Sequence, residues 1–161
     1  MSFRRGHGLA LVIAAALALG APAAQAAEPW LGTWKITEAK IAPWAAKSRG
    51  RSDVDLKELL NKTVTFRPRE IAGPPMLICK GPKYKLSDFS ADMLFQGAFG
   101  EMHLQDKSVD PVTVAASVGF RGSRWKTLET GCAVEIDYHF IDPATAAFGL
   151  NDYVYTLKKQ P

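Results

Sequence analysis

The fold is decided by a stretch near the C-terminus that reads CAVEIDYHF at positions 132–140. Every second residue of this stretch is apolar, starting at Cys132, and the intervening positions include Glu135, Asp137 and His139. A period of two is typical of a strand with one buried and one solvated face. We therefore predict a half-buried strand here, with the three polar side chains facing solvent.

Similar patterns predict further strands on both sides of this stretch. Residues 33–39, which read TWKITEA after Gly32, alternate in the same way. Other β-rich runs lie at 63–66, 76–79, 112–120, 146–150 and 153–157. Asn151 and Asp152 separate the last two runs, and because both residue types tolerate positive φ, they predict a two-residue hairpin turn.

One short helix interrupts the strand pattern at residues 53–61. Leu56, Leu59 and Leu60 have the spacing of one helix face, and acidic residues stand in the first turn. A helix of this length is unstable alone in water, so its leucines must pack on the main body.

Together these elements predict an all-β fold with one or two short helices. Six or seven short, mostly antiparallel strands would form a sheet with one wet and one dry face, closed into a barrel or folded as a sandwich. The chain contains no internal repeat and no linker, so residues 27–161 are expected to form a single domain.

The first 26 residues are predicted to be a signal peptide that is removed. Arg4 and Arg5 precede an apolar run from Leu9 to Leu19, and residues 24–26 supply a small-x-small cleavage pattern. The run is too short to span a bilayer, so we expect no stable membrane anchor. The alanine-rich leader suggests a bacterium, which predicts a periplasmic or secreted protein.

Composition limits the partners. The 161 residues include 47% hydrophobic and 22% charged residues, which excludes a disordered or fibrous chain. The formal net charge is +4, and loss of the leader removes two arginines and no acid, so it falls to +2. A nearly neutral domain gives no reason to expect a nucleic-acid partner.

Cys79 and Cys132 are the two cysteines of the chain. A single pair in an exported protein predicts one structural disulfide. The C-x-x-C spacing of redox pairs is missing, and two thiols are too few for a tetrahedral zinc site. The sequence also lacks a phosphate-binding glycine loop and a dinucleotide fingerprint, so we expect neither metal nor cofactor.

Gly32-Thr33-Trp34 opens the first predicted strand, and Ala42-Pro43-Trp44 follows that strand. These features, with a Leu-rich turn before residue 63 and Cys79 followed by Tyr84, resemble secreted bacterial lipocalin-like (calycin-type) proteins of undefined activity. The resemblance implies an antiparallel up-and-down β-barrel with Trp34 plugging one end. It also implies an arginine near the last strand that covers Trp34, where this chain has Lys158 and Lys159.

Aromatic residues are the candidates for binding a ligand. A barrel of about eight strands either encloses one small molecule or fills with side chains. Aromatic side chains are typical of ligand pockets and of protein cores alike. The candidate ligand-binding residues are Trp34, Trp44, Tyr84, Tyr138, Tyr153 and Tyr155.

No combination of acid, base and nucleophile can be named from the sequence, so we predict no catalytic residues. The first hypothesis is a non-catalytic periplasmic or secreted binding protein that holds a small apolar or amphipathic ligand in the barrel. The alternative is a protein-interaction module, such as an inhibitor of a secreted hydrolase. The two differ because the first needs a cavity, whereas the second needs a filled core and an exposed patch.

Overall fold

The structure is a computed structural model that describes residues 28–46 and 53–161. The predicted signal peptide at 1–26 lies outside the described residues.

The described residues form nine strands that belong to one sheet. These are β1 (Gly32–Ile41), β2 (Thr63–Arg67), β3 (Glu70–Ala72), β4 (Cys79–Lys80), β5 (Lys85–Phe89), β6 (Trp125–Glu129), β7 (Tyr138–Asp142), β8 (Thr145–Leu150) and β9 (Tyr153–Lys159). All their pairings are antiparallel, and the sheet curls into a half-barrel. The prediction of a mostly β, antiparallel fold is thus confirmed.

The strands lie in the order β4-β3-β2-β1-β9-β8-β7-β6-β5. Strands that follow one another in the chain are therefore neighbours in space, except β4 and β5, and the first strand pairs with the last. Along that pairing Ile36 lies opposite Leu157, and Ile41 opposite Tyr153. The Nζ atom of Lys159 lies 5.5 Å from the centroid of the Trp34 ring, so a lysine covers this tryptophan.

The closed up-and-down barrel of lipocalin type is not confirmed, because β4 and β5 form the two edges of the sheet. The predicted strand at 76–79 is mostly absent. Pro75 begins a 3-10 turn that runs to Leu77, so β4 keeps only two residues. Pro82, which follows β4, has no N–H to donate to a ladder. We call the gap between β4 and β5 the seam.

A disulfide crosses the seam. The sulfur atoms of Cys79 and Cys132 are 2.08 Å apart, as the cysteine count predicts. Cys79 lies in β4, whereas Cys132 lies in the β6–β7 loop on the other side. The Tyr84 hydroxyl, just before β5, donates a hydrogen bond of 3.0 Å across the seam to the Arg67 carbonyl at the end of β2. The seam is therefore held by one covalent bond and by loop contacts instead of a ladder.

The sheet buries side chains on both of its faces. Ala146 and Phe148 of β8 belong to an inner core that also contains Trp34, whereas Ala147 belongs to an outer core with Phe99. Two helices, α2 (Leu94–Gln105) and α3 (Pro111–Ser117), contribute to the outer core. The outer face of β6–β9 is consequently dry where these helices cover it.

The strand predicted at 112–120 is wrong, since α3 occupies most of this run. The carboxylate of Asp110 accepts hydrogen bonds from the N–H groups of Val112 and Thr113 at 3.2 and 3.1 Å, and Pro111 begins the helix. An Asp N-cap followed by proline favours a helix start strongly enough to outweigh the β preference of the valines.

The strand predicted at 132–140 is partly wrong. Only Tyr138–Phe140 of this stretch belongs to β7, and the residues before it form a loop tied by the disulfide. His139 is completely buried, not solvent-facing, because the outer helices cover its face of the sheet. Alternation therefore assigns Tyr138 and His139 to opposite faces correctly, but it is wrong for Val134, which is 47% exposed, and for the solvated face expected at His139.

Two local predictions are confirmed. The helix expected at 53–61 is α1 (Val54–Leu59), with Leu59 buried, and Asn151 with φ of 50° occupies the tight turn between β8 and β9. Within the described residues, no helix combines the length and apolar character needed to cross a bilayer.

We predict that the double substitution Cys79→Ala/Cys132→Ala lowers the free energy of unfolding by up to about 4 kcal/mol, because the bond closes a loop of more than fifty residues. Urea denaturation of the wild-type and the double variant measures the difference. A thiol reductant should weaken the wild-type and leave the variant unchanged. Equal midpoints for the two proteins would show that the seam holds without the bond.

Candidate functional site

The six predicted aromatic residues separate into two groups. Five of them, namely Trp34, Tyr84, Tyr138, Tyr153 and Tyr155, belong to the inner core or pack against it. Trp44 lies on the outer side, where its ring is 5.6 Å from that of Phe95. Gly149 makes this approach possible, since a Cβ there would lie 2.9 Å from the Trp44 ring.

The inner aromatic residues fill their space with side chains. Trp34 is 1% exposed and Tyr155 is 0% exposed, and the Tyr155 ring stacks on Phe148 at 5.1 Å. Phe66 and Tyr138 meet edge to face at 4.8 Å. A space of about 10 Å³ borders Tyr138, which is at most enough for one water. The arrangement around these residues is that of a packed core.

A larger opening lies on the outer face, beyond the end of the helical layer. It has a volume of about 580 Å³, within the usual range for small-molecule sites. Three carboxylates, two apolar side chains and a segment of backbone line it, and we call it the acidic cleft. These lining residues include Glu129, Glu135, Asp137, Phe89, Met93, Gln96 and Gly97.

One wall of the acidic cleft has a strained backbone. Phe95, Gln96 and Gly97 have φ values of 53°, 56° and 81°, so three consecutive residues are left-handed. We call them the left-handed turn. For residues other than glycine this conformation costs roughly 1–2 kcal/mol each. Such strain persists only where surrounding contacts impose it, and it is concentrated at functional sites.

His139 makes a hydrogen bond to the first residue of the turn. The Phe95 N–H donates a hydrogen bond of 2.9 Å to Nε2 of His139, and Nδ1 lies 2.8 Å from the Thr127 hydroxyl. Since a backbone N–H can only donate, Nε2 must accept, and the ring proton must be on Nδ1. His139 is thereby fixed as one neutral tautomer between the helix and the sheet.

The surroundings of His139 favour the neutral form. Rings of Phe89, Phe95 and Phe120 lie 4.8–6.3 Å from the imidazole. Burial in this apolar setting lowers the pKa of His139 from 6.5 to about 3, because the charged form loses its hydration. The side chain is therefore uncharged at neutral pH.

Asp137 has the opposite perturbation. Burial raises the pKa of its carboxyl to about 6, and the negative charges of Glu129 and Glu135 add to the effect. Glu129 is satisfied by Ser87 and Lys85, and these hydrogen bonds lower its pKa. Among the described residues, Asp137 forms neither a hydrogen bond nor an ion pair; Lys85, which pairs with Glu129, lowers its pKa only from a distance.

The carboxylates of the cleft can accept hydrogen bonds and bind a cationic group. Within residues 28–46 and 53–161, no group of three His, Cys, Asp or Glu side chains is arranged to hold a metal ion. The cleft thus combines acceptors, apolar contact area and a half-buried carboxylate without a partner.

Sequence reasoning missed most of this site. Asp137 and His139 were recognised as polar members of an alternating stretch, yet they were assigned to solvent. The left-handed turn leaves little trace in the sequence, because only Gly97 has an intrinsic preference for positive φ. Glu129 carries no local signal at all, since it reaches the cleft through the pairing of β5, β6 and β7.

Comparisons with protein-family models, curated proteins and solved structures found no match to this chain. The lipocalin resemblance accordingly stays a prediction from the sequence.

We predict that Gln96→Gly stabilises the protein by up to about 1 kcal/mol, because glycine adopts a left-handed backbone without strain. Thermal unfolding at neutral pH measures the effect. Glu101→Gly is the matched control, since Glu101 is equally exposed in the right-handed part of α2 and glycine there should destabilise by about 1 kcal/mol. Destabilisation by both substitutions would show that the turn is unstrained.

Proposed function

We propose that the protein is an exported, non-catalytic binding protein that holds a small amphipathic ligand in the acidic cleft. The observation that carries the proposal is Asp137, a half-buried carboxyl group whose pKa is raised to about 6 and which forms no hydrogen bond or ion pair with the described residues. A perturbed acid in a cleft beside strained backbone is typical of functional sites. The predicted signal peptide and the disulfide support an extracytoplasmic location.

The charge of the cleft favours a cationic polar end on the ligand. Asp137 faces the repulsion of two neighbouring carboxylates, and Lys85 is already shared with Glu129. An ammonium or guanidinium group beside Asp137 would relieve that repulsion and form charge-assisted hydrogen bonds. Anionic ligands such as carboxylates would add to the negative charge instead.

The apolar end of the ligand would lie against Met93 and Phe89. Met93 is 41% exposed at the cleft, and methionine adapts its shape to varied ligands. This placement moves the binding site from the barrel interior, expected from the aromatic residues, to the outer face of the same sheet. The packed inner core supports that change.

We predict that octylammonium binds the wild-type protein about tenfold more weakly at pH 5 than at pH 7. Asp137 has a raised pKa of about 6, so it is protonated at the lower pH and loses the charge that attracts the cation. In Asp137→Asn the affinity should be low at both pH values, and the tenfold difference that depends on the Asp137 charge should be lost. Isothermal titration calorimetry at both pH values measures it.

Asp88→Asn is the matched control, because it removes a carboxylate whose ion pair with Lys126 lies outside the cleft. Surface pairs of this kind contribute little, so the pH dependence should stay as in the wild-type. Octanol and octanoate test the role of charge at constant chain length. Binding of octanoate as tight as that of octylammonium would refute a cation site.

A second candidate function is the protein-interaction module, and exposed apolar residues beside the seam favour it. Ile78 and Val134 are 50% and 47% exposed, and they border the same shallow depression next to the disulfide. A filled inner core also suits a protein that acts through its surface. If this function holds, Ile78→Ser/Val134→Ser should abolish co-purification of an envelope partner, whereas Asp137→Asn should retain it.

A further inference from the structure

We propose that His139 is the positioning residue of the acidic cleft, and that protonation of its imidazole releases the left-handed turn and so dismantles one wall of the cleft. This inference rests on the proposed binding function, and it adds a proton-dependent control of that site. It stands on the hydrogen bond between Phe95 and His139 and on the place of the turn in the cleft wall.

The first step is the connection from His139 to the cleft. His139 does not line the cleft itself, but it packs against Phe89, which does, and it accepts the N–H of Phe95, the first residue of the turn. The next two residues, Gln96 and Gly97, line the cleft. His139 therefore acts on the ligand site through the backbone of Phe95.

The second step is the polarity of that hydrogen bond. Nε2 has a lone pair only in the neutral tautomer, whereas in the imidazolium both nitrogens carry hydrogen. Protonation would place an N–H of His139 directly against the N–H of Phe95. Two donors at hydrogen-bond distance repel, and because Phe95 is buried, water cannot replace the lost acceptor. The turn must then move away from the sheet.

The third step concerns the groups that surround the ring. Thr127 of β6 contacts Nδ1, and the aromatic rings of Phe89, Phe95 and Phe120 face the imidazole from β5, from α2 and from the loop after α3. None of these residues carries charge. Glu129, at the end of β6, and Asp137, just before β7, are titratable groups on the same face of the sheet. Both line the cleft and do not contact the imidazole. Nothing among the described residues therefore stabilises an imidazolium in place.

We call the state in which Phe95 bonds His139 closed, and the state in which the turn has moved away released. The pH range follows from the difference in the pKa of His139 between these two states. In the closed state the pKa of His139 is far below its ordinary value, so protonation of the ring and release of the turn occur together. A released histidine titrates near pH 6.5. The population of the released state should therefore rise about tenfold for each unit by which the pH falls below 6.5.

Native-state hydrogen exchange of the Phe95 amide, measured by NMR between pH 7 and pH 4.5, tests this proposal. After correction for the intrinsic exchange rate at each pH, protection in the wild-type should fall about tenfold per pH unit below 6.5. In His139→Gln the amide oxygen can still accept from Phe95 but does not titrate, so protection should be independent of pH. His103→Gln is the matched control, because His103 bonds the Val109 carbonyl from α2 and should leave the wild-type slope unchanged.

A pH-independent protection of Phe95 in the wild-type would overturn the proposal, as would an unchanged slope in His139→Gln. If His139→Gln does not fold, the ¹⁵N shifts of the wild-type imidazole decide instead. They should show an unprotonated Nε2 and a protonated Nδ1 at pH 7, and the reverse tautomer would refute the mechanism. No ligand is present in these measurements, so a failure of octylammonium to bind would remove the proposed function without changing their result.

Discussion

The antiparallel ladder between β1 and β9 is the interaction on which the rest of the structure depends. It runs from the Trp34–Lys159 pair to the Ile41–Tyr153 pair, with one irregularity after Ile36. Because it joins the first strand to the last, it turns two separate sheets of four and five strands into one curled sheet. The inner core can form only in that joined sheet, since its side chains come from both halves. The seam opposite needs much less support, and one disulfide with a few loop contacts supplies it.

Burial of both faces of the sheet then determines where chemistry can occur. Strands β7 and β8 place Tyr138 and Phe148 in the inner core, so their alternate residues point to the outer face. Where α2 and α3 cover that face, a polar residue must find partners inside the protein, and His139 does so with Thr127 and Phe95. Where the helical layer ends, the same face opens into the acidic cleft. The cleft is therefore a boundary between a covered and an uncovered part of one sheet.

The sequence predicts the elements whose signals are local. The first strand, the helix at 53–61, the hairpin turn at Asn151 and the cysteine pair all follow from neighbouring residues, and the structure has each of them. Besides the run at 76–79, which the 3-10 turn at Pro75 shortens, two runs fail for different reasons. Residues 112–120 contain β-branched side chains, but the Asp110 cap precedes them, and this cap favours the helix over a strand. In residues 132–140 the alternation holds only in the part that forms β7, where tertiary packing buries Tyr138 and His139 on opposite faces. The candidate site was missed because the left-handed turn and Glu129 reach it through contacts distant in sequence.

Asp137 and His139 are two residues apart on one face of the sheet, and burial drives both toward their uncharged forms. For Asp137 the pKa is raised, so its contribution to stability is present at low pH and is lost as the pH rises through about 6. For His139 the pKa is lowered, so its contribution is present above pH 6.5 and is lost as the pH falls toward about 3. At neutral pH only Asp137 is held in its unfavourable form, as a carboxylate without a counterion. A cationic ligand supplies that counterion, so its binding and the ionisation of Asp137 reinforce each other, while neutral His139 holds the wall against which the ligand lies.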